Sequence, residues 1–273
     1  MKYTAGLGKL ERERYSALLR GTKATISVAE AAKILNLESN KAAMLLARFG
    51  RKGWLKRIVY GVYIPVPLES DTGDIVAEDP FVIAEKLFSP CYIAGMNAAN
   101  YWELTEQLFR TITVMTQKQI REKTPNIAGS DYVIHSIKPS YFFGLKSVWI
   151  GNVKVNISDA TRTLVDMAMF PQFCGGIRFL EDILKSYYQS KYKDMDLLIQ
   201  YLEQAQNGAA IKRLGFLVEK LFTEEEKFTT FCLKNLTKGN IKISPGIECS
   251  KLIKRWRIWV PEQLKEESSD RKK

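Results

Sequence analysis

Asp159, Arg162 and Asp166 fall at i, i+3 and i+7 in SDATRTLVDM, a spacing that sets two carboxylates and a guanidinium on one face of a helix. Such a trio could bind a phosphate together with a metal ion. The structural reading weighs more, because Asp159 stands where a helix N-cap belongs and Arg162 is an ordinary helical ion-pair partner. A second group points to different chemistry. Asn40, Lys41, Arg48, Arg51, Lys52, Lys56 and Arg57 combine a carboxamide with six cations in one short stretch. Carboxamides and cations of this kind read base edges and hold phosphates.

Charge supports the second group. Residues 1–65 hold thirteen Lys/Arg and four Asp/Glu, which is +9 of the chain's total of +11, so the remaining 208 residues are close to neutral. A single-sign field confined to one small segment is the footprint of a domain that meets a polyanion. The same segment spells helix, turn, helix. A first basic helix is predicted from Lys9 to Leu19. Ser27 with Glu30 makes a capping box that starts a helix at Val28 and carries it to about Leu35. Asn36 and Leu37 form the turn, and Ser39 is the next natural N-cap. From there Ala42, Leu45, Leu46 and Phe49 make an apolar stripe, while Asn40, Met44, Ala47, Arg48 and Arg51 project from the other side.

Two short strands follow, Trp54–Ile58 and Val62–Ile64, with a turn near Tyr60 and Gly61 and with Lys56 and Arg57 at or near the tip. Two helices and a basic hairpin make a winged helix-turn-helix, whose second helix enters the major groove of duplex DNA. Base-edge contacts then fall to Asn40 and Lys41, with Arg48 second to them, and phosphate contacts to Arg51, Lys52, Lys56 and Arg57. The blander alternatives are a protein-interaction module or a merely solvated basic face.

Chemistry beyond binding finds little support. Phosphate-binding loops, dinucleotide fingerprints, H-E-x-x-H and G-x-S-x-G are all absent from the sequence. Glu248 and Lys251 come nearest to a nuclease-type Glu-x-Lys and have one residue too many between them. His135 is the chain's one histidine, and Cys91, Cys174, Cys232 and Cys249 are far apart with no C-x-x-C pair, which excludes a histidine metal cluster and argues against a zinc ribbon. The thiols are expected to be reduced and mostly buried, with no metal and no cofactor. The cluster Lys251, Lys254, Arg255, Trp256, Arg257 and Trp259 reads either as a nucleic-acid surface or as an edge strand with one charged face.

The chain is expected to divide into a winged helix over 1–66, a polar, acidic linker over 67–79, an α+β domain over 80–260 and a polar tail over 261–273. In the second domain strands come first and helices dominate afterwards, so segregated α+β architecture is expected and a doubly wound parallel sheet is not. No segment has the pattern of a signal peptide or the length of a bilayer span, and a cytoplasmic protein without membrane partners is expected.

Several strings, in order, resemble the AbiE-type abortive-infection antitoxins, the DNA-binding partners in type IV toxin–antitoxin operons: YGVYIP after the wing, YIAGMNAANYWELTEQ, VWIGNVKVNISDATRTLVDM, AAIKRLGFLVEKL and IKRWRIWV. Glu103 departs from that family's pattern, standing where Gly is usual before Leu-Thr-Glu-Gln. The resemblance implies a non-enzymatic, bifunctional protein. Its winged helix would bind inverted repeats in its own promoter and repress the operon, and its second domain would counteract a nucleotidyltransferase-like toxin without necessarily forming a stable complex with it. Asp159, Arg162 and Asp166 are the antitoxin candidates. The rivals are a stand-alone winged-helix regulator with a ligand-sensing or oligomerisation domain, and a phosphotransferase acting on the toxin.

Overall fold

The capping box at Ser27 closes as the sequence spells it: Ser27 N–H donates to Glu30 Oε2 at 2.9 Å, and Glu30 N–H donates to Ser27 Oγ at 3.2 Å. The structure is a computed structural model that describes residues 6–22, 25–66, 79–173 and 175–262. Most of the expected linker and tail, and Cys174, lie outside the described residues. The first half runs α1 (Lys9–Gly21), β1 (Ile26–Ser27), α2 (Val28–Leu35), α3 (Ser39–Arg51), β2 (Leu55–Val59) and β3 (Val62–Pro65). Asn36 takes a left-handed conformation, φ 50°, and ends α2.

Glu38, not Ser39, occupies the N-cap of α3. Its backbone is extended and its carbonyl accepts from Ala42 N–H at 2.9 Å, while its carboxylate turns to Lys41 at 3.3 Å. Ser39 is thereby the first helical residue. The apolar stripe of α3 packs against Tyr15 and Leu18 of α1 and Ala31 of α2. Tyr15 fixes α1 to the base of the wing, meeting Phe49 and Trp54 edge-on and donating to the Trp54 carbonyl at 3.0 Å. The strands β1, β3 and β2 form an antiparallel sheet in that order.

The second half is an α+β assembly. It continues with α4 (Pro80–Phe88), β4 (Cys91–Ile93), α5 (Gly95–Tyr101), β5 (Thr111–Thr116), β6 (Asn126–Ile127), β7 (Ser130–Ser136), β8 (Leu145–Ile150) and β9 (Val153–Ser158). Then come α6 (Ala160–Met169), α7 (Ile177–Gln189), α8 (Met195–Ala205), α9 (Gly208–Leu221), α10 (Glu226–Lys234), β10 (Ile241–Lys242), β11 (Lys251–Ile253) and β12 (Ile258–Val260). Six strands form a mixed sheet in the order β6-β7-β5-β4-β9-β8, in which only the β5–β7 and β4–β9 pairs are parallel.

Alternation along the strands divides the sheet's side chains. Cys91, Ile93, Val114 and Val155 pack with Val82, Ile83 and Phe88 of α4. Tyr92 and Met115 turn to the other face, toward Phe142 and Phe170. The helical half closes over α6, every residue of which is buried.

Two of the sequence strings meet in this half. Arg213 of α9 donates to the carbonyls of Ala168 at 2.7 Å, Ile243 at 2.8 Å and Lys242 at 3.1 Å, which ties α6 and β10 to one guanidinium. Two residues on, a Cβ at Gly215 would run into the buried indole of Trp256, so α9 needs glycine there. The cluster that begins at Lys251 contains an edge strand, β11, antiparallel to β12, followed by the buried Trp256. Cys91 and Cys232 are buried free thiols, and Cys249 is half-buried.

Candidate nucleic-acid interface

Helix α3 divides cleanly along its length. Ala42, Leu45, Leu46 and Phe49 are buried, while Asn40, Lys41, Met44, Ala47, Arg48 and Arg51 are exposed. The structure therefore gathers four of the sequence-predicted residues on one outward face: Asn40, Lys41, Arg48 and Arg51. An amphipathic helix whose apolar side is fully used in packing leaves its polar side free to enter a groove.

The remaining cations are placed differently. Lys52 is drawn back to α1, where its ammonium pairs with Glu11 at 2.5 Å and donates to the Gly6 carbonyl at 3.2 Å. Arg48 lies 3.8 Å from the other Glu11 oxygen. Hydrogen bonding from Lys52 is the largest influence holding the Glu11 carboxyl below the ordinary glutamate range. Lys41 is paired with Glu38 across the first turn of α3. A phosphate would have to compete with a carboxylate for Lys52, Lys41 and, at the longest distance, Arg48, whereas Arg51 has no carboxylate partner among the described ion pairs.

Lys56 and Arg57 are exposed but do not sit at the wing tip. Lys56 is opposite Ile64 and Arg57 opposite Tyr63, because β2 continues through a bulge to Val59 before the chain turns. The turn itself is Tyr60 and Gly61, with Gly61 at φ +76° and its carbonyl held by the N–H of Val28 at 3.0 Å. Tyr60 is 92% exposed, and the Arg57 guanidinium lies 4.8 Å from its ring centroid. Tyr60 is a candidate contact that reasoning from charge alone missed. Its signal was an aromatic residue beside glycine at a predicted hairpin tip.

The second candidate constellation turns inward. Asp159 caps α6, accepting from Arg162 N–H at 2.7 Å, and its other oxygen accepts from the Tyr201 hydroxyl at 2.7 Å. Arg162 and Asp166 are completely buried. Arg162 Nε and Nη2 both reach Asp166 Oδ1, at 3.0 and 2.8 Å, and the Tyr92 hydroxyl joins them, accepting from Nη2 at 3.1 Å and donating to Oδ1 at 3.2 Å. The guanidinium also sits 4.0 Å from the centroid of the Phe143 ring. Burial pushes the Asp166 carboxyl up, against the opposing pull of Arg162, and pushes the Tyr92 hydroxyl up as well. Arg162 Nη1 and Asp166 Oδ2 have no hydrogen-bond partner within the protein. This arrangement ties α6 to β4 and to the chain before β8; Arg162 and Asp166 present nothing to the surface.

Among the described residues no group of three or more His, Cys, Asp or Glu could hold a metal ion, and no helix is long and apolar enough to cross a membrane. Compared with known proteins, the chain matches no protein-family model and no curated protein in sequence.

Proposed function

We propose that the chain binds double-stranded DNA through α3 and the β2–β3 wing, and that it is the antitoxin and autorepressor of a type IV toxin–antitoxin operon. The carrying observation is the exposed face of α3, where Asn40, Lys41, Arg48 and Arg51 stand together on the segment that holds nearly all of the net charge. That combination supplies both parts of operator recognition: cations that contribute sequence-independent affinity and a carboxamide suited to adenine. Two copies on inverted repeats would place two such helices on one face of the duplex.

The antitoxin half of the proposal rests on the ordered sequence resemblance. The strings that carry it coincide with fold determinants: the Asp159 cap, the Arg213 clamp and the Gly215–Trp256 contact. Glu103, which departs from the family's glycine, has φ +58°, a conformation natural to glycine. Closure of Arg162 and Asp166 inside the protein supports a non-enzymatic second domain over a phosphotransferase. Its counterpart would be a nucleotidyltransferase-like toxin.

The test is a growth assay. The neighbouring open reading frame is induced alone and then together with the full chain, while the chain's binding to its own upstream region is measured by fluorescence anisotropy across a salt series. Toxicity relieved by the full chain, with upstream affinity falling steeply as salt rises, is the expected result. A neighbour that is harmless, or toxic and not relieved, leaves a winged-helix regulator. Affinity indifferent to salt overturns DNA recognition by the basic face.

A further inference from the structure

Met44 is the exception on the outward face of α3. It is 67% exposed, and it stands one helical turn after Asn40 and one turn before Arg48, with exposed Ala47 beside it. The core of the winged helix does not use it: the buried stripe of α3 is Ala42, Leu45, Leu46 and Phe49, and Met44 points away from them. An apolar island thus sits in the middle of a polar and cationic surface. The major groove offers one apolar feature among its donors and acceptors, the C5-methyl group of thymine. Methionine, long, unbranched and polarisable, can follow such a group without demanding one exact register.

We infer that Met44, backed by Ala47, is a specificity-determining residue that packs on a thymine methyl group, so that the recognised half-site carries thymine at that position. The inference rests on the DNA-binding reading above and adds to it the identity of a base. Position narrows it further. Asn40 and Met44 are four residues apart, ~6 Å along the axis, and base pairs are ~3.4 Å apart. The thymine therefore lies within about two base pairs of the base that Asn40 reads. An asparagine bonded to adenine N6 and N7 already selects an A·T pair. The half-site core is accordingly A·T-rich, read through hydrogen bonds at one end and through a methyl group at the other.

The experiment uses the full chain and a duplex that it selects from a random-sequence pool. Each thymine is replaced in turn by deoxyuridine, which removes only the methyl group, and affinity is measured by anisotropy for the wild type, Met44→Ala and Met44→Leu. At one position per half-site the wild type is expected to bind the deoxyuridine duplex about four-fold more weakly, the worth of one buried methyl group. Met44→Ala is expected to bind the intact duplex about as weakly and to be indifferent to the same replacement. Met44→Leu retains the thymine preference, and the salt dependence of all three proteins is the same because no phosphate contact changes. Wild-type binding that ignores every deoxyuridine, or losses from Met44→Ala and deoxyuridine that simply add, overturns the role of Met44 while leaving DNA binding intact. Selection that yields no duplex at all overturns both.

Discussion

Helices α3 and α6 both set arginine among small and apolar residues, and the fold uses it in opposite ways. Along α3 the apolar residues occupy one stripe, so Arg48 and Arg51 face solvent. Along α6 every residue is buried, Arg162 and Asp166 included. The difference lies in how much of each helix its neighbours cover. Thr161, Arg162, Thr163 and Asp166 give α6 polar positions of its own, but the hydroxyls of Tyr187, Ser158 and Tyr92 and the ring of Phe143 cover them, so the helix is enclosed on every side. An arginine on a helix covered along one side is available to a partner; one on a helix covered on all sides must find its carboxylate within the protein.

The strongest way to break this comparison is to remove half of the buried pair. Arg162→Met or Asp166→Leu leaves a charge enclosed without its partner, and the expected loss is about 3–5 kcal/mol of unfolding free energy. The double replacement Arg162→Met with Asp166→Leu is expected to be more stable than either single variant, because no uncompensated charge remains. Urea unfolding at neutral pH measures all three. If either single variant kept its stability yet lost toxin relief in the growth assay, α6 would be a functional site and the contrast with α3 would fail.

The outward helix is tested by affinity at constant stability. Arg51→Ala is expected to weaken binding to specific and scrambled duplexes alike and to lower the slope of log affinity against log salt by about one, the signature of a lost phosphate contact. Asn40→Ala is expected to cost about 1–3 kcal/mol against the specific duplex and little against the scrambled one. Lys52→Ala marks the boundary between the two behaviours. Its ammonium is committed to Glu11 and the Gly6 carbonyl, so its loss should lower the melting temperature as well as the affinity. A Lys52→Ala protein that melts as the wild type does would show that this cation is held for DNA and not for α1.

What the sequence reveals follows from how far apart the cooperating residues lie. The bounds of α2 come out residue for residue, since capping and turn signals act over three or four positions. The face of α3 is equally legible because one helix generates it. Beyond that range legibility falls. Arg162 and Asp166 can be paired from their spacing, but Tyr92 is 70 residues before Arg162, and Tyr201 is 42 residues after Asp159. Nothing local announces either tyrosine, so the same trio reads as a possible phosphate site until the fold encloses it. Lys52 is a similar case, with its carboxylate 41 residues upstream on α1. The shift of the α3 cap from Ser39 to Glu38 is a smaller one, a choice between neighbours that the tight turn after Asn36 decides.

The smallest expected effect compares the two halves at their left-handed helix ends. Asn36 closes α2 at φ 50° and Glu103 follows α5 at φ 58°. Both are held by hydrogen bonds to the preceding helix, Leu37 N–H to the Ala32 carbonyl and Leu104 N–H to the Ala99 carbonyl, each at 2.9 Å. Asparagine tolerates this conformation because its short polar side chain can bond locally, whereas glutamate bears most of the clash between Cβ and the following carbonyl. Glu103→Gly is therefore expected to stabilise the chain by about 1 kcal/mol, and Asn36→Gly to change stability by no more than a few tenths. The measurement is the urea midpoint at unchanged slope, which separates a change in stability from a change in the unfolded state. A loss of stability in Glu103→Gly would mean that this exposed side chain contributes more than its backbone strain costs.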